Sequence, residues 1–324
     1  MAGREGSSFT VLLALLANAA VAVLKLVAGL LSGSGALLSE AAHSVGDTST
    51  QILLLTAVRR SERPADSKHP FGYGKERYFW SLLAAFGILI SGAVFSLYEG
   101  VHTIIDPHEQ SAYAWVNYVV LGIAFLMEGT SLLQATRQVR REAAEHQLSL
   151  AGELAGTDDP APRAVFTEDL AAVIGIVLAA AGVGLHQLTG SAVWDGIASI
   201  LIGVLLAVVA VLLGKVCKGL LIGRQADPRL VRAVWEHVER QPEVDDLVDV
   251  QTMLTGTDKV LVCARVDFID TYSAGDVEQA CIRIDNELRE LFHDVDEVFI
   301  QPVPRTNADL RDRVLQRYGR ALTD

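Results

Sequence analysis

The sequence predicts an α-helical membrane protein, with six spanning helices followed by a small α+β domain outside the bilayer. Three observations carry that expectation. Apolar residues make up 51% of the 324 positions, and they come in runs of twenty or more up to about residue 222. Polar residues accumulate after that point, where positions 224–324 hold 21 acids against 13 bases. Lysine and arginine are plentiful in every second connection between the runs and missing from the others. A net charge of −12 excludes an electrostatic nucleic-acid binder, which needs a basic face. Cys217, Cys263 and Cys281 are too scattered for a disulfide framework or a Cys-rich zinc site, and they suit a reducing compartment.

The first apolar run, about 9–31, is too long for the core of a signal peptide and lacks a clear cleavage pattern, so it reads as a helix. Further runs follow at about 35–58, 78–102, 113–135, 165–187 and 192–214. At about 1.5 Å per residue, each is long enough to cross roughly 30 Å of hydrocarbon. The connection after the second run carries Arg59, Arg60, Arg63, Lys68, Lys75 and Arg77. The one after the fourth carries Arg137, Arg140, Arg141 and Arg163, and the segment after the sixth carries Lys215, Lys218 and Arg224. Both termini are therefore expected in the cytoplasm, or on the matrix side of an organelle. Thr157–Pro162 reads as a short linker of Asp and Pro. Beyond residue 222, Pro228–Arg240 and Ala274–Phe292 read as helices, and Leu247–Leu254, Lys259–Phe268 and Glu297–Val303 as strands. The order αββαβ suits a sheet with helices on one face. The expected division is a six-helix membrane domain over 1–222, an α+β domain over 223–305 and a polar tail over 306–324.

Ionisable groups inside spanning helices are costly unless they face a partner or a wet cavity. His43 and Asp47 are four residues apart and share a helical face, with Glu40 one turn earlier. The fifth run opens with Glu168 and Asp169. An imidazole and two carboxylates from two helices suit a divalent cation, because both donor types bind zinc at about 2 Å. The plainer alternatives are a His43–Asp47 hydrogen bond without metal, a helix–helix bond for Asp169, and capping or snorkelling for Glu40 and Glu168. Lys25 and Asn18 are positioned to balance the acids, and Glu128 is either a proton site or an answer to Lys25. Glu99 and Asp195 read as structural, Asp195 as an anion at a helix N-terminus.

At His43-Ser44-Val45-Gly46-Asp47 the chain resembles the cation diffusion facilitators, metal/proton antiporters with six spanning helices and a cytoplasmic domain. The resemblance is carried by Gly33-Ser34-Gly35-Ala36-Leu37-Leu38-Ser39-Glu40 ahead of the HxxxD, by the loop His69-Pro70-Phe71-Gly72-Tyr73-Gly74-Lys75-Glu76-Arg77, by the Asp of the fifth run and by the αββαβ order. It extends from about residue 8 to 304, and Phe166-Thr167-Glu168-Asp169-Leu170 is similar to the zinc transporter 9-like branch. It implies a ferredoxin-like tail, a homodimer, and His43, Asp47 and Asp169 as metal ligands. The commoner members have a second His where Val165 stands, so Glu168 or water is the implied replacement, although Glu168 points roughly 100° away from Asp169 around the helix. A harder donor set admits manganese, iron or cobalt beside zinc. The resemblance also implies an accessory site in the second loop, of which Asp66 and His69 remain while Tyr73 stands at the second His. The tail strands carry no His, so a tail that dimerises without a zinc switch is expected.

The implied function is efflux of a divalent metal, zinc first, exchanged for protons by alternating access. Metal ligands must shed protons to bind, and an imidazole ordinarily titrates near pH 6.5, so metal and proton oppose each other. Gly87, Gly92, Gly182, Gly196 and Gly203 are candidates for close helix approach. No resident cofactor is expected, since the divalent ion is cargo, and the bilayer is the partner phase. The Ala/Val/Arg/Asp-rich usage and short loops point to a plasma membrane. A metallohydrolase would need HExxH, and His108-Glu109 has no second His four residues on. A non-transporting metal sensor or scaffold is the remaining alternative.

Overall fold

A computed structural model describes residues 2–107, 114–145, 149–150, 152 and 160–318. The sequence features at His108-Glu109, at 157–159 of the linker and at 319–324 lie outside the described residues. The chain forms two units, one comprising Met1–Arg60 with Glu76–Lys218, the other Ser61–Lys75 with Gly219–Asp324.

The first unit is built from long helices: α1 (Ala2–Ser32), α2 (Gly35–Ser61), α3 (Glu76–Ile105), α4 (Ala114–Glu145), α5 (Pro160–Thr189) and α6 (Val193–Ile222). Among the described residues four of them, α3 to α6, are long and apolar enough to cross a membrane. That is fewer than the six expected. Among the residues whose side chains are described, the apolar stretch of α1 is Asn18–Ser32, while α2 spends its length on Ser, Thr, Gly and the ionisable Glu40, His43 and Asp47.

Gly33, with φ +69°, ends α1 in the left-handed conformation that a glycine adopts without strain. The next helix is capped from a distance. The Asp195 carboxylate of α6 accepts from Ser34 Oγ at 2.8 Å and from the Ala36 amide at 3.2 Å. Asp195 thus serves the N-terminus of α2 as well as lying in the first turn of its own helix.

Within α3, Ile88–Val94 winds as a π-helix, a wider turn that often marks functional positions. α3 runs antiparallel to α6 and approaches it closely over Gly92–Gly100. A Cβ on Gly100 would lie 2.7 Å from Gly196 O, one on Gly203 2.9 Å from Leu97 N, and one on Gly92 2.9 Å from Leu206 Cδ1. The core of this unit includes Leu37, Ile88, Ile202 and Leu206, all essentially inaccessible.

The second unit holds α7 (Pro228–Glu239), β1 (Val244–Gly256), β2 (Lys259–Phe268), α8 (Ala274–Leu291), β3 (Val295–Pro302) and α9 (Ala308–Tyr318). The sheet order is β1-β2-β3, antiparallel then parallel, a small mixed sheet in the αββαβ order. Strand period explains β2, in which Val260, Val262, Ala264 and Val266 are buried while the residues between them are more exposed. Ala280, Ile284 and Leu288, spaced by four on α8, are fully buried. Asp227 caps α7 ahead of Pro228, and Ser273 with Asp276 forms a capping box on α8. The segment Ser61–Lys75 joins this unit. Gly74 lies so close to the β1–β2 turn that a Cβ there would meet Thr255 O at 2.5 Å and Gly256 Cα at 2.6 Å. Phe71 meets Phe299 edge-on, with ring centroids 6.5 Å apart.

Candidate metal site

The helical period puts Glu40, His43, Ser44 and Asp47 on one face of α2, and that face is turned inward. Glu40 is fully buried, and His43, Ser44 and Asp47 are 2%, 3% and 8% exposed. Burial of this kind demands compensation, and Lys25 of α1 supplies part of it. Lys25, itself fully buried, donates from Nζ to Glu40 Oε2 at 3.0 Å and to Ser44 Oγ at 2.8 Å. The other oxygen of Glu40 presses against Gly175 of α5, at the place a Cβ would occupy.

His43 Nδ1 stands 3.4 Å from Asp47 Oδ1. Beyond that pairing, His43 Nε2, Asp47 Oδ1, Glu40 Oε1 and Glu168 Oε1 are buried atoms without a hydrogen-bond partner among the described residues. Buried polar atoms in that condition call for an explanation. On α5, Glu168 is only 6% exposed and its charge interacts with that of Asp47. Asp169 is half-buried and accepts from Ser131 Oγ of α4 at 2.7 Å. The neighbouring carboxylates therefore face different surroundings, as their 100° separation requires, and Glu168 is the one turned furthest inward. The charge of Glu128 on α4 interacts with those of Lys25, Glu40, Asp47, Glu168 and Asp169.

These groups share a region but do not form a closed shell. Among the described residues no three His, Cys, Asp or Glu side chains converge closely enough to hold an ion. Val165 is 38% exposed. Sequence reasoning did not assign Ser44 and Ser131, whose hydroxyls fix Lys25 and Asp169. A serine has no signature of its own in a helix, and only packing shows what it meets.

The accessory residues of the loop are brought together in the second unit. Asp66 Oδ1 accepts from the Lys68 and His69 amides at 2.9 and 2.8 Å, and Asp66 Oδ2 accepts from Tyr73 Oη at 2.8 Å. The Tyr73 hydroxyl and the His69 amide hold the Asp66 carboxyl below its ordinary range. His69 Nδ1 lies 3.5 Å from Asp66 Oδ1, with its ring against Tyr73. Tyr73 thus occupies Asp66 with a proton donor.

On the tail sheet, Asp249 is 1% exposed and accepts from Arg265 Nη1 at 2.9 Å and from Gln251 at 2.7 Å, while Arg265 Nε reaches Gln301 at 3.2 Å. A guanidinium therefore supplies the positive charge on these strands. His237 pairs with Glu287 at 2.8 Å, and His293 is exposed.

Residues 11–222 match the family model described as the cation efflux transmembrane domain. The chain is 34% identical over 264 residues to the mitochondrial proton-coupled zinc antiporter SLC30A9 of Xenopus laevis, covering 82% of this chain and 47% of that one. It is 36% identical over 240 residues to metal tolerance protein C4 of Arabidopsis thaliana, covering 73% and 52%. The manganese efflux system protein MneP of Bacillus subtilis (strain 168) is 25% identical over 305 residues, covering 90% and 94%. The chain spans about half the length of the first two of these relatives.

Proposed function

The chain belongs to the cation efflux family, a family of transporters rather than enzymes, and from that premise we propose that it carries a divalent metal ion across a membrane in exchange for protons. The observation that supports this most directly is the set of buried atoms on two helices without a hydrogen-bond partner among the described residues: His43 Nε2 and Asp47 Oδ1 on α2, and Glu168 Oε1 on α5. A nitrogen and two oxygens of this kind are what a divalent ion of borderline hardness takes as ligands. Asp169 is the fourth donor, reached when it leaves Ser131.

In this proposal all six long helices span the bilayer, α1 and α2 by sharing their charges. The basic connections and the tail face the cytoplasm, or the matrix in an organelle. Metal binds when His43 is neutral and the acids are ionised, and protons displace it on the other side. Zinc is the proposed cargo, as in the name of the SLC30A9 relatives. Manganese is the second reading, because a carboxylate stands where an imidazole would favour zinc, and MneP is named for manganese efflux. The plasma membrane is the proposed location on residue usage, in contrast to the mitochondrial label of SLC30A9. The proposed organisation is a homodimer whose tail carries no metal switch, with Arg265 supplying the charge. The proposed limits are a transport domain over 1–222, a tail domain over 223–305 and a polar end over 306–324.

The test is pH-jump flux in proteoliposomes with zinc and manganese. Wild type transports, Asp47→Ala and Asp169→Ala abolish flux, and Glu168→Gln reduces it at least tenfold. Full transport by Asp47→Ala would remove the site. Metal binding without flux in wild type would make the chain a sensor or scaffold.

A further inference from the structure

The paired glycines that draw α3 against α6 act over only part of their length. At Gly100, Gly203 and Gly92 a Cβ would be crowded at 2.7 to 2.9 Å, whereas at Gly214 the nearest atom, Leu82 Cδ1, is 3.8 Å away. The two helices diverge toward the basic end of the bundle, and a groove of about 350 Å³ opens between them. Its walls are two helical stripes, Leu82, Phe86 and Leu89 on α3 and Val211 on α6, with Phe86 and Val211 51% and 47% exposed.

The groove ends at Lys215 and Lys218. Both are exposed, and neither is within ion-pair distance of a carboxylate among the described residues. Three apart on one helix, their Cβ atoms are about 5–6 Å from each other, near enough for one phosphate to bridge the two ammonium groups.

We propose that this groove binds an anionic phospholipid, an acyl chain lying along Leu82, Phe86, Leu89 and Val211 and the phosphate held by Lys215 and Lys218. Four considerations select that occupant. The groove lies on helices long and apolar enough to cross a membrane, so the phase that reaches it is lipid. Its volume falls in the range of about 300–1,000 Å³ typical of small-ligand pockets. Apart from the two lysines its lining is apolar, with no group for a sugar, a base or a metal. The two free cations stand where the apolar stripe stops, which is the order of parts in a phospholipid, and basic pockets between spanning helices hold anionic headgroups. The assignment is independent of which metal the chain carries.

The experiment measures retention of spin-labelled phosphatidylglycerol and phosphatidylcholine by the purified full chain in detergent. Wild type is expected to prefer the anionic lipid about 25-fold. Lys215→Gln with Lys218→Gln removes the preference, about fivefold per lysine, and the two Lys→Arg changes keep it. Arg140→Gln with Arg141→Gln, an equal loss of charge on exposed positions of α4, leaves it intact, and free glycerol phosphate does not compete. Gly214→Leu, which fills the groove without touching the lysines, lowers retention of both lipids. Equal retention of the two lipids by wild type, an equal loss in the α4 variant, or competition by glycerol phosphate overturns the proposal. So does a Phe86→Cys disulfide between two copies that excludes the lipid, since the groove then belongs to a second copy.

Discussion

Lys25 and Glu40 are both wholly buried and 3.0 Å apart, and the cost of burying them is offset only while both are present. Removing one partner of such a pair costs about 3–5 kcal/mol, whereas replacing both with apolar groups is often close to neutral. Lys25→Met is therefore expected to lower thermal stability in detergent sharply, and Lys25→Met with Glu40→Met to regain most of it, as a double-mutant cycle by thermal melting will show. The sequence shows His43 and Asp47 as a pair because a spacing of four is local helical geometry. It does not show Lys25 with Glu40, which are 15 residues apart across a helix break, since that contact exists only once α1 and α2 are packed. The same holds for Glu168 and Asp169. The spacing tells that they diverge, but only the neighbouring helices decide that Glu168 goes inside and Asp169 meets Ser131.

Helix approach is decided by what each glycine faces. Gly196→Ala places a methyl 2.7 Å from Gly100 O and 2.6 Å from Ile104, so α3 and α6 must part at an expected cost of about 1–3 kcal/mol. Gly87→Ala meets nothing and is expected to stabilise by about 0.5–1 kcal/mol through helix propensity alone. Thermal melting of the two variants should move in opposite directions. Composition makes these glycines look alike, and the partner helix distinguishes them. In the tail, Arg283 of α8 grips Glu243 with Nη2–Oε2 at 2.6 Å and Nη1–Oε1 at 3.2 Å. The guanidinium holds the Glu243 carboxyl below its ordinary range. That attachment of α8 to the start of β1 is complete above the ordinary glutamate range and is lost as pH falls through the lowered value. Hydrogen exchange at the α8 amides should accelerate across that acidic window, and Glu243→Gln should remove the dependence. The strands and helices of the tail were legible with ends shifted by a few residues, because alternation in β2 and the four-residue spacing in α8 are strong local patterns. The π turn at Ile88–Val94 leaves no such pattern in an evenly apolar run.

Across the whole molecule, the sequence suggests a membrane domain over 1–222, an α+β domain over 223–305 and a polar end over 306–324. In the structure Ser61–Lys75 is grouped with the tail, through Gly74 at the β1–β2 turn and Phe71 at Phe299. Gly74→Ala, with its Cβ 2.5 Å from Thr255 O, is expected to release that segment and speed limited proteolysis between Ser61 and Lys75, read by fragment mass. That grouping was illegible because it depends on a glycine 181 positions from the backbone it touches. The Lys25–Glu40 bond has a consequence for biogenesis. In a six-span protein the second helix is too polar to partition into lipid by itself, and the first would enter with a bare ammonium. The insertion machinery must therefore receive α1 and α2 as a hairpin already neutralised, which makes the two-residue hinge at Gly33 and Ser34 the earliest tertiary decision of the nascent chain.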